Sequence, residues 1–287
     1  MSAIYKKELR AYFNSIIGWL FIAFFLIFVG IYFFVYNLYS GYTDFGYTLS
    51  AITSFFILLI PMITMRLMAE ENKQKTDQLL ITSPVSIEKI VLGKYLATVT
   101  VFLIGILVCC TYPLIMSLFG EINMVMTYSS ILAFFLLGCT YLSIGMFISA
   151  LTESQAFAAV LTFIVVFLTC LMDGIASLFS SSAKTAWLLF AFLLFLVAVL
   201  TWITMKSKVV TGGFLLISQA AIAGVYFLKP TLLEGAIVKV FHWFSVISRY
   251  DDFVNGIFNV SSIVYYSSII ILFNFLTVQV IKKRRWN

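Results

Sequence analysis

The sequence predicts an all-α polytopic membrane protein of about eight transmembrane helices, and three observations carry that prediction. Of 287 residues, 62% are hydrophobic and only 10% are charged, whereas a soluble domain carries about 25% charged residues. The mean hydropathy is +1.07. The apolar residues run in continuous blocks of roughly 20 or more, the length a helix needs to cross a ~30 Å hydrocarbon core. Lys and Arg, finally, gather between alternate blocks. Strands of a closed barrel would alternate in ten-residue segments, and these blocks do not.

In chain order the blocks are 16–38, 49–67, 90–119, 127–150, 156–179, 187–205, 209–228 and 261–281. The first follows positive charge, as in a signal peptide. It is too long for one and lacks a small-residue cleavage site, so it reads as a span. The third is long enough to begin as an extension outside the membrane. The sixth and seventh are separated only by Lys206-Ser207-Lys208. A tight hairpin fits better than one long helix with two charges at its middle, which would cost about 2.5–3.5 kcal/mol each.

Orientation follows from the basic residues. With a cytoplasmic N-terminus, that side holds Lys6, Lys7, Arg10, Arg66, Lys73, Lys75, Lys89, Lys94, Lys206, Lys208, Lys282, Lys283, Arg284 and Arg285. The other side holds only Lys184, Lys229, Lys239 and Arg249. Acidic residues divide evenly, so the bias belongs to the basic ones. Eight spans place both termini in the cytoplasm, in a cell membrane that fits a bacterial plasma membrane. A net charge of +6 distributed this way is topogenic and does not suggest nucleic-acid binding.

Four segments lie outside the blocks. In residues 1–15, Ile4, Tyr5, Leu9, Tyr12 and Phe13 share one helical face, and Lys6, Lys7, Arg10 and Asn14 the other. This predicts an amphipathic helix in the cytoplasmic interface. Segment 68–89 opens with helix formers, offers Glu71–Lys75 as an i,i+4 pair, and ends on an apolar tip, Leu79-Leu80. Ser83-Pro84 then reads as an N-cap followed by proline at the first helical position. An apolar tip shown to water asks for a protein partner. Between the fourth and fifth blocks, Thr152-Glu153-Ser154-Gln155 fits a capping box with Thr152 as N-cap. In segment 229–260, Leu232, Leu233, Ala236, Ile237, Val240, Phe241 and Phe244 form a helical stripe opposite Glu234, Lys239 and His242. The stripe breaks at Ser248-Arg249-Tyr250-Asp251-Asp252, and Asn255-Gly256 signals a turn. That segment either lies on the outer leaflet or dips into it and returns.

Catalytic chemistry is missing from the sequence. Gly93-Lys94 is followed by Tyr95 and lacks the upstream glycine of a phosphate-binding loop. There is a single histidine, His242, and neither a His-Glu-x-x-His pair nor a Gly-x-Ser-x-Gly elbow. Cys109, Cys110, Cys139 and Cys170 lie inside apolar blocks without metal-ligand spacing. The expectation is a chain that is not an enzyme, with no metal and no cofactor of its own. Charges sit at or near block ends, Asp173 being the deepest, which weakens an ion-coupled carrier.

Several stretches carry a family resemblance. They are Pro61-Met62-Ile63-Thr64-Met65-Arg66-Leu67-Met68-Ala69-Glu70-Glu71, Thr76, Leu79-Leu80-Ile81-Thr82-Ser83-Pro84-Val85-Ser86 and Ile90-Val91-Leu92-Gly93-Lys94. To these add Ile4-Tyr5-Lys6-Lys7-Glu8-Leu9-Arg10 with Tyr12-Phe13, Thr152-Glu153-Ser154-Gln155, and the ending Arg284-Arg285-Trp286. Together they resemble the type-2 permeases of ATP-binding-cassette (ABC) exporters, nearest to the gliding-motility-permease branch. The resemblance implies a single transmembrane domain with a six-span core and an interfacial elbow helix (Tyr5, Lys6, Lys7, Leu9, Arg10, Tyr12, Phe13). It also implies an ATPase-coupling segment: Glu70, Glu71, Lys75, Thr76, Asp77, Gln78, Leu79, Leu80 and Pro84. Lys75 stands where glycine is usual and Gln78 where glutamate is usual. The hairpin at 187–228 exceeds a six-span core. Implied partners are two ATPase subunits that bind ATP and Mg, a second permease (identical or homologous), membrane lipid, and an extracytoplasmic accessory protein.

Overall fold

The first fifteen residues carry too much charge to enter lipid, and in the computed structural model they form α1 (Ser2–Asn14), a helix separate from the span that follows. The structure describes residues 1–75, 85–179, 182–205, 213, 215, 217–220, 222–224, 226 and 233–286. It divides into two units, Met1–Cys170 with Val246–Asn287, and Leu171–Ser245.

In the first unit the chain leaves α1 at Ser15, whose backbone is extended, and enters α2 (Ile16–Phe33). Gly18 permits this tight junction, because a Cβ there would stand 2.6 Å from the Tyr12 carbonyl oxygen. Trp19 Nε1 donates to the Phe13 carbonyl (2.9 Å), and the two rings meet edge-on at 5.3 Å. The helix continues as a π-helical turn, Phe34–Tyr39, so Ile16–Tyr39 is one apolar run of 24 residues.

The second block departs from the expected straight span. It forms α3 (Phe45–Thr53) and α4 (Phe56–Thr64), and the axis bends by 63° between them. The Thr53 hydroxyl donates to the Ser50 carbonyl (2.6 Å), a side-chain bond that competes with the helix ladder. Ile57 and Leu58 then bond three residues back, not four, and Pro61 has no N–H to return to Ile57.

After the short α5 (Ala69–Gln74) come α6 (Ile87–Cys109) and α7 (Thr111–Met116), which together make a 30-residue apolar helix. Ser86 is the N-cap residue of α6; the predicted start at Ser83-Pro84 lies outside the described residues. Next is α8 (Met124–Leu151), where Asn123 accepts from the Met126 N–H (3.2 Å). The following helix, α9 (Gln155–Leu178), corrects the capping expectation. Thr152 ends α8, and it is the Ser154 hydroxyl that accepts from the Phe157 N–H (3.4 Å). The helix therefore starts two residues later than a capping box led by Thr152 requires.

The core of the first unit is built around α8, 78% of whose apolar window is buried. Phe102, Phe134 and Phe56 pack with Tyr141 and Tyr250; the Phe56 and Phe134 rings stack at 4.9 Å. Gly138 allows this close approach, since a Cβ there would stand 2.3 Å from the edge of the Phe102 ring.

In the second unit, α10 (Ala183–Met205) and helical residues at 217–220 and 222–224 are joined by Gln219, which donates to the Ala191 carbonyl (2.8 Å). Leu233 and Ile237 bury with Ala186, so α11 (Ala236–Phe244) uses the expected stripe, although Val240 and Phe244 of that stripe remain exposed. Leu232 lies outside the described residues. Asp173 accepts from Ser245 Oγ (2.5 Å) and pairs with His242 Nδ1 (2.8 Å).

The predicted break at Ser248–Asp252 is displaced. Those residues begin α12 (Ser248–Val254), and the break falls at 245–247. Gly256, with φ +77°, makes the expected turn before α13 (Val260–Trp286). In the first unit α13 packs along α8.

Five helices among the described residues are long and apolar enough to cross a membrane, or six if the bent α3–α4 pair is one span. Of the two further predicted spans, 187–205 lies on α10, and half of 209–228 falls outside the described residues, the described half being helical.

Candidate functional site

The segment after the bent α3–α4 pair begins with a helix too short to stand alone. A six-residue helix in water is unstable, and α5 is held instead by its neighbours. Its first backbone N–H groups have no partner within the helix. Ser149 of α8 supplies one: its hydroxyl accepts from the Met68 and Ala69 N–H groups, both at 3.1 Å, and donates to the Met65 carbonyl at 3.2 Å. In return, Asn72 of α5 donates to the Thr152 carbonyl at the end of α8 (3.0 Å). The two helix ends cap each other. Glu70 and Glu71 lie in the first turn of α5 and Lys73 in the last, the arrangement that suits the helix dipole.

A buried cation ties two more elements to α5. Lys94 lies in α6 with 1% of its side chain exposed. Its ammonium donates to Glu8 of α1 (3.1 Å), pairs with Glu71 of α5 (2.9 Å) and donates to the Leu67 carbonyl (2.9 Å). Three N–H donors thus meet three acceptors, the full capacity of the group. Lys7 of α1 lies at the rim, 3.3 Å from Glu71 and 3.6 Å from Glu8. Burial acts to lower the Lys7 pKa, but the Glu71 and Glu8 carboxylates outweigh it and the net shift is upward. Two lysines and two carboxylates make a cluster of zero net charge. Beside it, Arg66 grips Glu70 through two bonds (2.7 and 3.0 Å). A small cavity of about 60 Å³ lies between this pair and α1, lined by Glu8, Tyr12, Ser15 and Arg66 among others.

The predicted interfacial residues divide by side. Tyr12 is buried, its hydroxyl donating to the Ile63 carbonyl (3.0 Å), and burial raises its pKa. The Tyr5 hydroxyl meets Thr100 (3.0 Å). Leu9 and Phe13 pack against the core, while Lys6 and Arg10 are exposed. Of the predicted coupling residues, Glu70, Glu71 and Lys75 are described, and Thr76, Asp77, Gln78, Leu79, Leu80 and Pro84 lie outside the described residues. Glu71 does not pair with Lys75 as the i,i+4 spacing suggests; it pairs with Lys7 and Lys94. Lys75 ends α5 in the left-handed region, φ +56°.

Sequence reasoning missed Ser149, and although it quoted Glu8 and Lys94 within motifs and counted Lys94 among the cytoplasmic basic residues, it gave neither a role. One signal was available: Lys94 is a charge inside an apolar block, and such residues mark function. No group of three or more His, Cys, Asp or Glu side chains among the described residues is placed to hold a metal ion.

What the arrangement provides is a set of polar bonds that join α5 to α1, α6 and α8. The sequence profile of the ABC-2 family of transporter proteins matches residues 35–189, more than half of the chain. The match takes in α5, Lys94 and Ser149. No curated protein matches the chain.

Proposed function

Because this chain belongs to the ABC-2 transporter family, a multi-pass membrane permease family served by ABC ATPases, we propose that it is the permease subunit of an exporter, and that α5 opens the segment through which a separate ATPase drives it. What supports this reading is the anchoring of α5. Its start is held by Ser149, its middle by Asn72, and its Glu71 by Lys94 and Lys7. A push on the loop therefore reaches α8, α6 and α1 together, and each but α1 is a span-length helix.

In this reading both termini and the segment 68–89 are cytoplasmic, in the plasma membrane of a bacterium. The chain pairs with a second permease, identical or homologous, and two ATPase subunits bind ATP and Mg; the chain itself catalyses nothing and holds no cofactor. Leu79 and Leu80 enter a cleft of the ATPase, with Glu70, Glu71, Lys75, Thr76, Asp77, Gln78 and Pro84 around them. Residues 1–15 are the elbow helix. The span count is eight, residues 187–228 being an additional hairpin, and the nearest branch is that of the gliding-motility permeases. Residues 229–260 face the extracytoplasmic side, where an accessory protein docks. An alternative keeps the same loop and ATPase but moves no substrate, the chain serving as an anchor or mechanical transmitter. An ion-coupled carrier is disfavoured, since charged residues within the apolar blocks stay near block ends.

The test is co-expression with the ATPase encoded nearby. The wild-type chain is expected to copurify with it and stimulate ATP turnover, and Leu79→Asp/Leu80→Asp to abolish one or both. Unchanged assembly and turnover in the double variant would reduce the loop to a connector. Substrate-independent turnover with no movement of any amphipathic or peptide cargo would favour the transmitter.

A further inference from the structure

The outward face of α1 has no partner, and its chemistry narrows what can cover it. Lys7 is drawn inward to Glu71 and Glu8, but Lys6 and Arg10 are exposed and have neither an ion pair nor a hydrogen bond among the described residues. They are four residues apart, so their Cβ atoms stand about 5–6 Å apart on one face. Asn14, also exposed, continues that face by another turn.

Immediately beyond, the exposed surface turns apolar: Ile16 is 77% and Trp19 60% exposed at the start of α2. Trp19 is fixed in place by its bond to the Phe13 carbonyl and its contact with the Phe13 ring. A tryptophan at the mouth of a span marks the depth of the lipid headgroups. Two unpaired cations therefore lie on the helix that leads into an exposed apolar surface, Arg10 about 6 Å and Lys6 about 12 Å before the end of α1. The complement of that pattern is an anionic phosphate carrying acyl chains.

We infer that Lys6 and Arg10 form a site for the headgroup of an anionic phospholipid, whose chains run along Ile16 and Trp19 of α2. The inference rests on the proposed placement of α1 at the cytoplasmic interface. The lipid would hold α1 at a set depth, and through Glu8 that depth is linked to Lys94.

The test uses the full chain in nanodiscs of equal parts phosphatidylglycerol and phosphatidylcholine, with a photo-crosslinking residue in place of Asn14. Two cations at a lipid surface predict capture of phosphatidylglycerol over phosphatidylcholine by about thirtyfold. The preference should collapse in K6Q/R10Q, survive in R10K, and survive in K73Q/K75Q, which removes two other exposed lysines. Equal capture of both lipids by the wild type would overturn the headgroup site while leaving α1 at the interface. An equal loss in K73Q/K75Q would replace the site with a diffuse charge effect. Capture of no lipid would remove α1 from the interface and the inference with it.

Discussion

Replacing Lys94 by methionine keeps the unbranched stem of the side chain, one atom shorter, and removes its charge. In the wild type the ammonium satisfies Glu8, Glu71 and the Leu67 carbonyl. Without it, two carboxylates with 12% and 15% of their side chains exposed share only Lys7, itself 60% exposed and at longer distances. Removing one partner of a buried ion cluster costs about 3–5 kcal/mol, because the remaining charges are left without compensation. Lys94→Met should therefore destabilise the junction by that amount. The triple variant Lys94→Met/Glu8→Gln/Glu71→Gln removes the charges together and should recover to within about 1–2 kcal/mol of wild type, since neutral replacement of a whole buried cluster is often nearly free. Denaturant unfolding in micelles gives the global effect, and amide exchange across α1 and α5 shows where it falls. If Lys94→Met unfolds like wild type, or if the triple variant is no better than Lys94→Met, the cluster does not hold these helices and the mechanical reading loses its support.

Three more outcomes are expected. Ser149→Ala leaves the Met68 and Ala69 N–H groups and the Met65 carbonyl without this partner; the cost is about 1–3 kcal/mol, read as faster exchange in α5 and weaker ATPase stimulation with spans intact. Lys75→Gly relieves a non-glycine residue at φ +56° and should slow exchange at the end of α5 by a net roughly 0.5–1 kcal/mol, after the loss to greater freedom in the unfolded chain. Gly18→Ala puts a methyl group against the Tyr12 carbonyl, where only backbone movement helps. Overpacking of this kind costs about 1–3 kcal/mol, and a spin label on α1 should report its displacement from α2.

The spans that could be read from sequence were those whose physics is local. Lipid accepts only helices with every backbone group paired, so a block such as 127–150 announces α8 to within three residues at its start. The bend in the second apolar block was not legible, because residues 54 and 55 are Ser and Phe and the nearest proline is six residues on. Thr152 and Ser154 both suit an N-cap, and only the length of the turn chose between them. The Lys94 cluster joins residues 86 and 27 positions apart, and no periodicity reports such a contact. Lys75 is instructive in the other direction. The resemblance pointed to glycine there, and the backbone adopts the conformation that glycine accepts most readily.

The reciprocal caps between α5 and α8 also bear on biogenesis. Ser149 is made about 80 residues after the N–H groups it accepts. During synthesis, at about 5–20 residues per second, α5 emerges seconds before the end of α8. Through that interval α5 lacks its N-terminal acceptor and is too short to persist by itself. If α5 is the surface offered to a motor subunit, as proposed, that surface is completed late, once the helix bearing Ser149 has been made, and a half-made chain presents nothing finished for that subunit to grip.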